Sequence, residues 1–257
     1  AGREVQDYIL LQSFYKYIND VIIFETEIVN RTALAIAKSR FPFEFPFACR
    51  SDAMSVVIDE NYHAYVAMDY LDQVERSTGI GPIEQNREIE LSRAIPRAME
   101  YVPPQYAAGM ELLGVAISEN TVTAEVAAFS RDTTLKRSVK GVMADHLPDE
   151  GRHSVFWINL VKLYWSEIDE TARIELGRGL PFFLREYLTN ELQLEFDRRL
   201  IGTLDLPAAT REQIANDMVG AYPITNQHPM IVNIRKFLKM AGLLEHEPTR
   251  AAIAQYL

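Results

Sequence analysis

Apolar side chains recur along this chain at three- and four-residue steps, and that rhythm predicts helix nearly throughout. From about Val5 to Ser39, the residues Leu10, Leu11, Phe14, Ile18, Val21, Ile22, Ile28 and Val29 form one helical stripe. The run FPFEFPFACR (Phe41 to Arg50) breaks it, because each proline disfavours helix in the residue before it. Ser51 or Asp52 can cap a second helix reaching about Arg76, and STGIGP (Ser77 to Pro82) reads as a loop. A helix over Glu84 to Tyr101 is expected to be interrupted at Pro96. Pro103 and Pro104 open another that reaches about Ser130, and Asp132 is positioned to cap the next, to about Trp165. Asp169 starts a helix to about Leu200, and Thr210 with Gln213 forms a capping-box pattern. Two last helices cover about Met230 to Ala241 and Pro248 to Tyr256. No alternating strand or hairpin turn is found. The expected architecture is all-α: a four-helix bundle core over about residues 5–168 and a helical extension over about 169–257, in a single domain.

Composition narrows the class. With 48% hydrophobic and 24% charged residues in 257, the chain is neither disordered nor low-complexity. The net charge of −10, without a basic run, argues against nucleic acid or an anionic membrane as partner. No apolar run reaches the roughly 18 residues of a membrane span. A single cysteine, Cys49, fits a reducing compartment, and the opening AGREVQDYIL lacks a secretory pattern, so a cytoplasmic location is expected.

The chemistry sits in a repeated motif. Asp59-Glu60-Asn61-Tyr62-His63 and Asp149-Glu150-Gly151-Arg152-His153 both read D-E-x-x-H, and each lies in a long expected helix. Residues three apart share a helix face, so each Glu and His can converge on one point. At a Glu content of about 9%, five histidines give roughly 0.4 Glu-x-x-His matches by chance. Taken singly, such a match is more often a solvated helix face than a ligand pair. Two matches, each preceded by Asp and each following another helix with a suitable Glu, favour a metal site.

A four-helix dimetal centre takes one further carboxylate from each remaining helix. In the first helix Glu25 shares its face with Ile18, Val21, Ile22, Ile28 and Val29, and is preferred to Glu27, which lies with Asn30 and Arg31. In the third, Glu119 lies among Leu112, Val115, Ala116, Val122 and Val126, and is preferred to Glu125. A charge on an apolar stripe is costly unless a cation neutralises it. Four carboxylates balance two divalent ions, and the mixed oxygen and nitrogen donors suit iron or manganese. His146, at i, i+4 and i+7 with Glu150 and His153, is a candidate seventh ligand, although Pro148 between them is expected to kink or loosen the helix. Asp59, Asp145 and Asp149 are either surface charges or acceptors that orient the imidazoles.

With Glu25 then DENYH, and Glu119 then DEGRH, the sequence resembles the ferritin-like diiron-carboxylate proteins. The third histidine in DHLPDEGRH makes it similar to the p-aminobenzoate N-oxygenase family, whose third core helix ENTVTAEVAAFSRD (Glu119 to Asp132) also resembles. The resemblance covers about Phe24 to Trp157, and Pro148 departs from the Ala-like residue expected nearby. It implies a ferritin-like bundle and two irons held by Glu25, Glu60, His63, Glu119, His146, Glu150 and His153. It further implies dioxygen as co-substrate, an amine substrate oxygenated at nitrogen, an electron donor and a homodimer. Tyr62, Tyr65, Phe129 and Phe156 are candidate pocket residues, and Arg235 a candidate partner for a substrate carboxylate, although core packing or a surface role is the commoner fate of such residues. The competing readings are another diiron oxidase (a C-hydroxylase or desaturase), a ferritin-like iron store, and a metal-free helical scaffold.

Overall fold

A computed structural model describes residues 2–221 and 223–256. Among these residues there is no strand, and the fold is all-α. The helices are α1 (Arg3–Ile23), α2 (Asn30–Ala37), α3 (Phe47–Thr78), α4 (Glu90–Met99), α5 (Ala107–Arg131) and α6 (Arg137–Glu167). There follow α7 (Glu170–Tyr187), α8 (Glu191–Gly202), α9 (Ala208–Met218), α10 (Pro229–Met240) and α11 (Glu247–Ala252). A π-helical turn, Phe24–Val29, joins α1 to α2 without a break, so Arg3 to Ala37 is one long rod. That rod packs on α3, α5 packs on α6, and α3 meets α6 to close a four-membered, ferritin-like bundle. One continuous apolar core runs from Phe24 to Ile253, so α7, α10 and α11 share the interior of the bundle.

Several helix ends differ from the sequence reading, each for a specific reason. The second long helix starts at Phe47, four residues before Ser51, because Pro46 itself serves as N-cap with ψ of 154° and accepts from the Arg50 N–H. The broken segment ahead of it is held by Phe41, Phe43 and Phe45, whose rings pack around Tyr164 of α6. Asp132 does not cap α6: its carboxylate accepts from the N–H and hydroxyl of Thr134, and α6 starts only after Lys136. The helix expected over Asp169 to Leu200 is split at Leu188–Asn190. Glu90 of α4 accepts from the Leu192 and Gln193 N–H groups and so caps the separate α8. Thr210 lies inside α9, which Pro207 opens, and α11 stops at Ala252 rather than Tyr256. Pro96 and Pro148 both sit within helices that continue past them. Leu10, assigned to the first stripe, is 67% exposed.

Among the described residues, Pro104–Arg131 alone is long and apolar enough to cross a membrane, but 56% of that window is buried inside the protein. Its apolarity is that of the central core helix. Gly114 of α5 lets α4 and α7 approach closely: a Cβ there would lie 2.8 Å from Ile95 Cγ1 and 3.1 Å from Phe183 Cε2, both on fully buried side chains. Gly114→Ala should therefore lower stability by about 1–3 kcal/mol, read as a lower urea midpoint at unchanged slope.

Candidate metal centre

Each of the four core segments contributes to one buried cluster. Glu25 sits in the π-turn, where the wider i→i+5 winding changes the direction in which successive side chains point. Glu25 is 2% exposed, whereas Glu27 is exposed. On α3, Glu60 and His63 point inward together, as their three-residue spacing requires. Glu119 of α5 is buried, and Glu125 lies elsewhere, against a separate small hollow with Tyr17, Asp20 and Tyr187. On α6, Glu150 and His153 are buried, and His146 is partly buried one turn earlier.

These side chains form two adjoining donor groups. Glu25, His63, His146 and Glu150 make one; Glu60, Glu119, Glu150 and His153 make the other. Within each group the donor atoms lie within 4.8 Å of one another, and Glu150 belongs to both. His146 Nε2 is 3.0 Å from Glu150 Oε1 and 3.4 Å from Glu25 Oε1. His63 Nδ1 is 3.4 Å from Glu60 Oε2, and His153 Nδ1 is 3.1 Å from Glu60 Oε1. The His63 and His146 rings stack with centroids 3.7 Å apart, while His153 stands 6.0 Å from His63. One group thus carries two imidazoles and the other carries one.

The aspartates of the two motifs cross over. Asp149, from the second D-E-x-x-H, lies 3.1 Å from Nε2 of His63 in the first. Asp59, from the first, lies 3.2 Å from Nε2 of His153 in the second. With each Nε2–H donated outward to a carboxylate, the Nδ1 atom of each ring is turned to the cluster. Arg152 joins the two acceptors, at 2.6 Å to Asp149 and 3.1 Å to Asp59. Of the three aspartates left open by the sequence, Asp145 alone is an exposed helix charge. Arg152 is thus a further residue of the site, marked in the sequence only by its place in DEGRH between Glu150 and His153.

The electrostatics describe a site short of cations. Burial pushes the Glu25 and Glu119 carboxyls well above the ordinary carboxylate range, and the charges of Glu60 and Glu150 push the same way. Burial would also raise Glu150, but the hydrogen bond from His146 and the nearby His153 ring hold it down at about 2. Burial would lower His153, yet its contacts with Glu150 and Glu60 push it up to about 12. His63 is likewise raised, since its bonds to Glu60 and Asp149 outweigh burial. Glu25 Oε2, Glu60 Oε1, both Glu119 oxygens and His153 Nδ1 are buried without a hydrogen-bond partner among the described residues. Orphaned oxygen and nitrogen atoms that face one another at these distances fit a pair of divalent metal ions, and four carboxylates would neutralise it.

A cavity of about 280 Å³ adjoins His63 and His146, between α1, α3, α5 and α6. A second hollow, of about 560 Å³, adjoins His153, Asp59 and Arg152. Of the pocket residues expected from the sequence, Tyr62 lines the first cavity and Phe156 the second. Tyr65 lines neither and is 68% exposed, because two residues past His63 on a helix is the opposite face. Phe129 stands behind the first cavity, packed edge-on against Tyr17 at 5.1 Å. Arg235, on α10, lines neither cavity.

A family model described as P-aminobenzoate N-oxygenase AurF matches residues 1–228. A curated relative, 4-aminobenzoate N-oxygenase of Streptomyces thioluteus, is 23% identical over 176 residues, or 68% of this chain and 52% of the relative. The chain therefore spans about half the length of that relative. The match across nearly all of the chain, on a helical bundle that gathers two D-E-x-x-H motifs into one buried cluster, shows that the chain belongs to the p-aminobenzoate N-oxygenase AurF family.

Proposed function

We propose that this protein is a non-haem diiron oxygenase that oxygenates the nitrogen of a small arylamine, with dioxygen as co-substrate and electrons from a separate donor. The observation that carries the reading is the pair of buried donor groups joined by Glu150 and opening, at His63 and His146, onto a cavity of small-molecule size. Family membership and the name of the curated relative support the arylamine assignment.

Glu25, Glu60, His63, Glu119, His146, Glu150 and His153 would hold the irons. The iron pair, when bound, supplies the redox chemistry that activates dioxygen. The protein's own part is positional. Asp149 and Asp59 fix the His63 and His153 rings by accepting at Nε2, and Arg152 pairs with both acceptors and holds them in place. Ile18, Val66, Ala67 and Val126 give the cavity an apolar wall that excludes bulk water and favours an uncharged amine, whose free lone pair is the group to be oxygenated.

Anaerobic reconstitution with ferrous iron, then oxygen exposure with an amine panel and mass spectrometry, tests this. About two irons per chain, the dimetal stoichiometry of such bundles, and hydroxylamine, nitroso or nitro products are expected. Products hydroxylated only at carbon would shift the assignment to a C-hydroxylase, and loading far above that stoichiometry would indicate storage.

A further inference from the structure

The cavity beside His63 and His146 is elongated along the bundle. Its wall leaves the donor cluster in one direction on each core helix: from Glu25 back to Val21 and Ile18 on α1, from His63 on to Val66 and Ala67 on α3, and from Glu119 on to Val122 and Val126 on α5. On α6 it runs from His146 back through Met143 and Val142 to Gly141, which is exposed and marks the end remote from the cluster. Five residues separate Gly141 from His146, a rise of about 7.5 Å along the helix. That rise matches the span from the nitrogen of an aniline to the first atom beyond its para carbon. Glycine weakens a helix interior relative to alanine, so one placed there calls for a reason. Packing supplies it at Gly109, Gly114, Gly177 and Gly179, where a Cβ would lie 2.3–2.8 Å from a neighbouring side chain. At Gly141 a Cβ would meet no atom of the described residues within 4 Å, and the space beside it belongs to the cavity. Gly151, the other glycine of α6, is likewise open and borders the second hollow.

We propose that Gly141 is a specificity-determining residue: its missing side chain leaves the far end of the cavity open to the para substituent of an arylamine whose nitrogen lies at the metal end. The proposal rests on the arylamine-oxygenase reading and adds to it a substrate shape, a ring extended at the para position. Such a substituent would bury its hydrocarbon against Val66, Ala67, Val126 and Val142. A side chain at position 141 would take up the same space, and an apolar pocket discriminates by about tenfold or more when one such group has no room.

The test is anaerobic equilibrium dialysis of the ferrous-loaded protein with aniline and 4-propylaniline. The unmodified protein should bind 4-propylaniline at least about fivefold more tightly than aniline. Gly141→Leu should weaken 4-propylaniline by about tenfold or more and leave aniline within about twofold, with iron content unchanged. Gly141→Ala, which meets no neighbour and favours the helix, should weaken 4-propylaniline about threefold, and it carries the test if the leucine variant fails to fold. Ala144→Leu, exposed about one turn along α6 and off the cavity wall, should change neither affinity. The proposal is overturned if the Gly141 substitutions leave 4-propylaniline unmoved, if aniline weakens equally, or if Ala144→Leu has the same effect. It is overturned as well if the unmodified protein binds aniline as tightly as 4-propylaniline, or binds neither. The oxygenase reading survives each of these results and fails only if no amine is oxygenated in the product assay.

Discussion

Glu150→Ala should cost the protein both metal positions at once. Glu150 is the one side chain common to the two donor groups, and its carboxylate also accepts from His146. Its removal takes a ligand from each ion and leaves His146 and His153 without their shared counter-charge. Ferrous affinity is expected to fall by at least about a hundredfold at both positions, beyond the cost of losing an orienting residue alone, and amine oxygenation should fall with it. Glu27→Ala, on the exposed side of the same π-turn, should keep both irons and full turnover. Anaerobic ferrous titration with a circular-dichroism melt separates metal loss from unfolding. A folded Glu150→Ala protein that still takes up two irons would refute the assignment of this cluster.

Metal uptake should also be steeply proton-linked. In the metal-free protein at pH 7, Glu25 and Glu119 are raised by burial and by their carboxylate neighbours, and His153 is pushed up to about 12 by Glu150 and Glu60. His153 must surrender a proton before it can bind a cation, and the upward push on Glu25 and Glu119 adds to the proton linkage in the same direction. Each released proton makes affinity rise tenfold per pH unit, so apparent affinity should climb about tenfold or more per unit between pH 6 and 8. Zinc titration in weakly buffered indicator dye, which reads proton release directly, checks this; a pH-independent affinity would contradict it. The same groups shape the metal-free fold. His153, held above its ordinary 6.5, contributes stability that is fully present below that value and is lost as pH rises toward 12. Glu150, held below its ordinary 4.5, contributes above that value and is lost as pH falls toward 2.

What the sequence disclosed follows the range of its interactions. Glu60 with His63, and Glu150 with His153, lie one helical turn apart, so their convergence follows from the helix repeat. Glu25 and Glu119 could be placed because each interrupts an apolar stripe, and burying a carboxylate there calls for compensation. One helix boundary depends on a group far away in the chain: α8 is capped by Glu90, about a hundred residues earlier. The crossing of Asp59 to His153 spans 94 positions and leaves no local trace. The π-turn under Glu25 was hidden as well, because a single widened turn barely disturbs the hydrophobic rhythm on either side of it. Tyr65 differs for another reason: nearness to His63 in sequence is not nearness to the cavity, because two residues along a helix turn a side chain about halfway around it.

The exchange of aspartates between α3 and α6 makes the centre indivisible. Neither helix carries the instructions for its own imidazole: the tautomer of His63 is dictated from α6, and that of His153 from α3. A half-assembled chain, with one of these helices undocked, would present its histidine free to bind through either ring nitrogen. Competence to hold metal with both rings in the required orientation therefore arrives only when the two helices close on each other, which ties cofactor acquisition to the docking of α3 on α6.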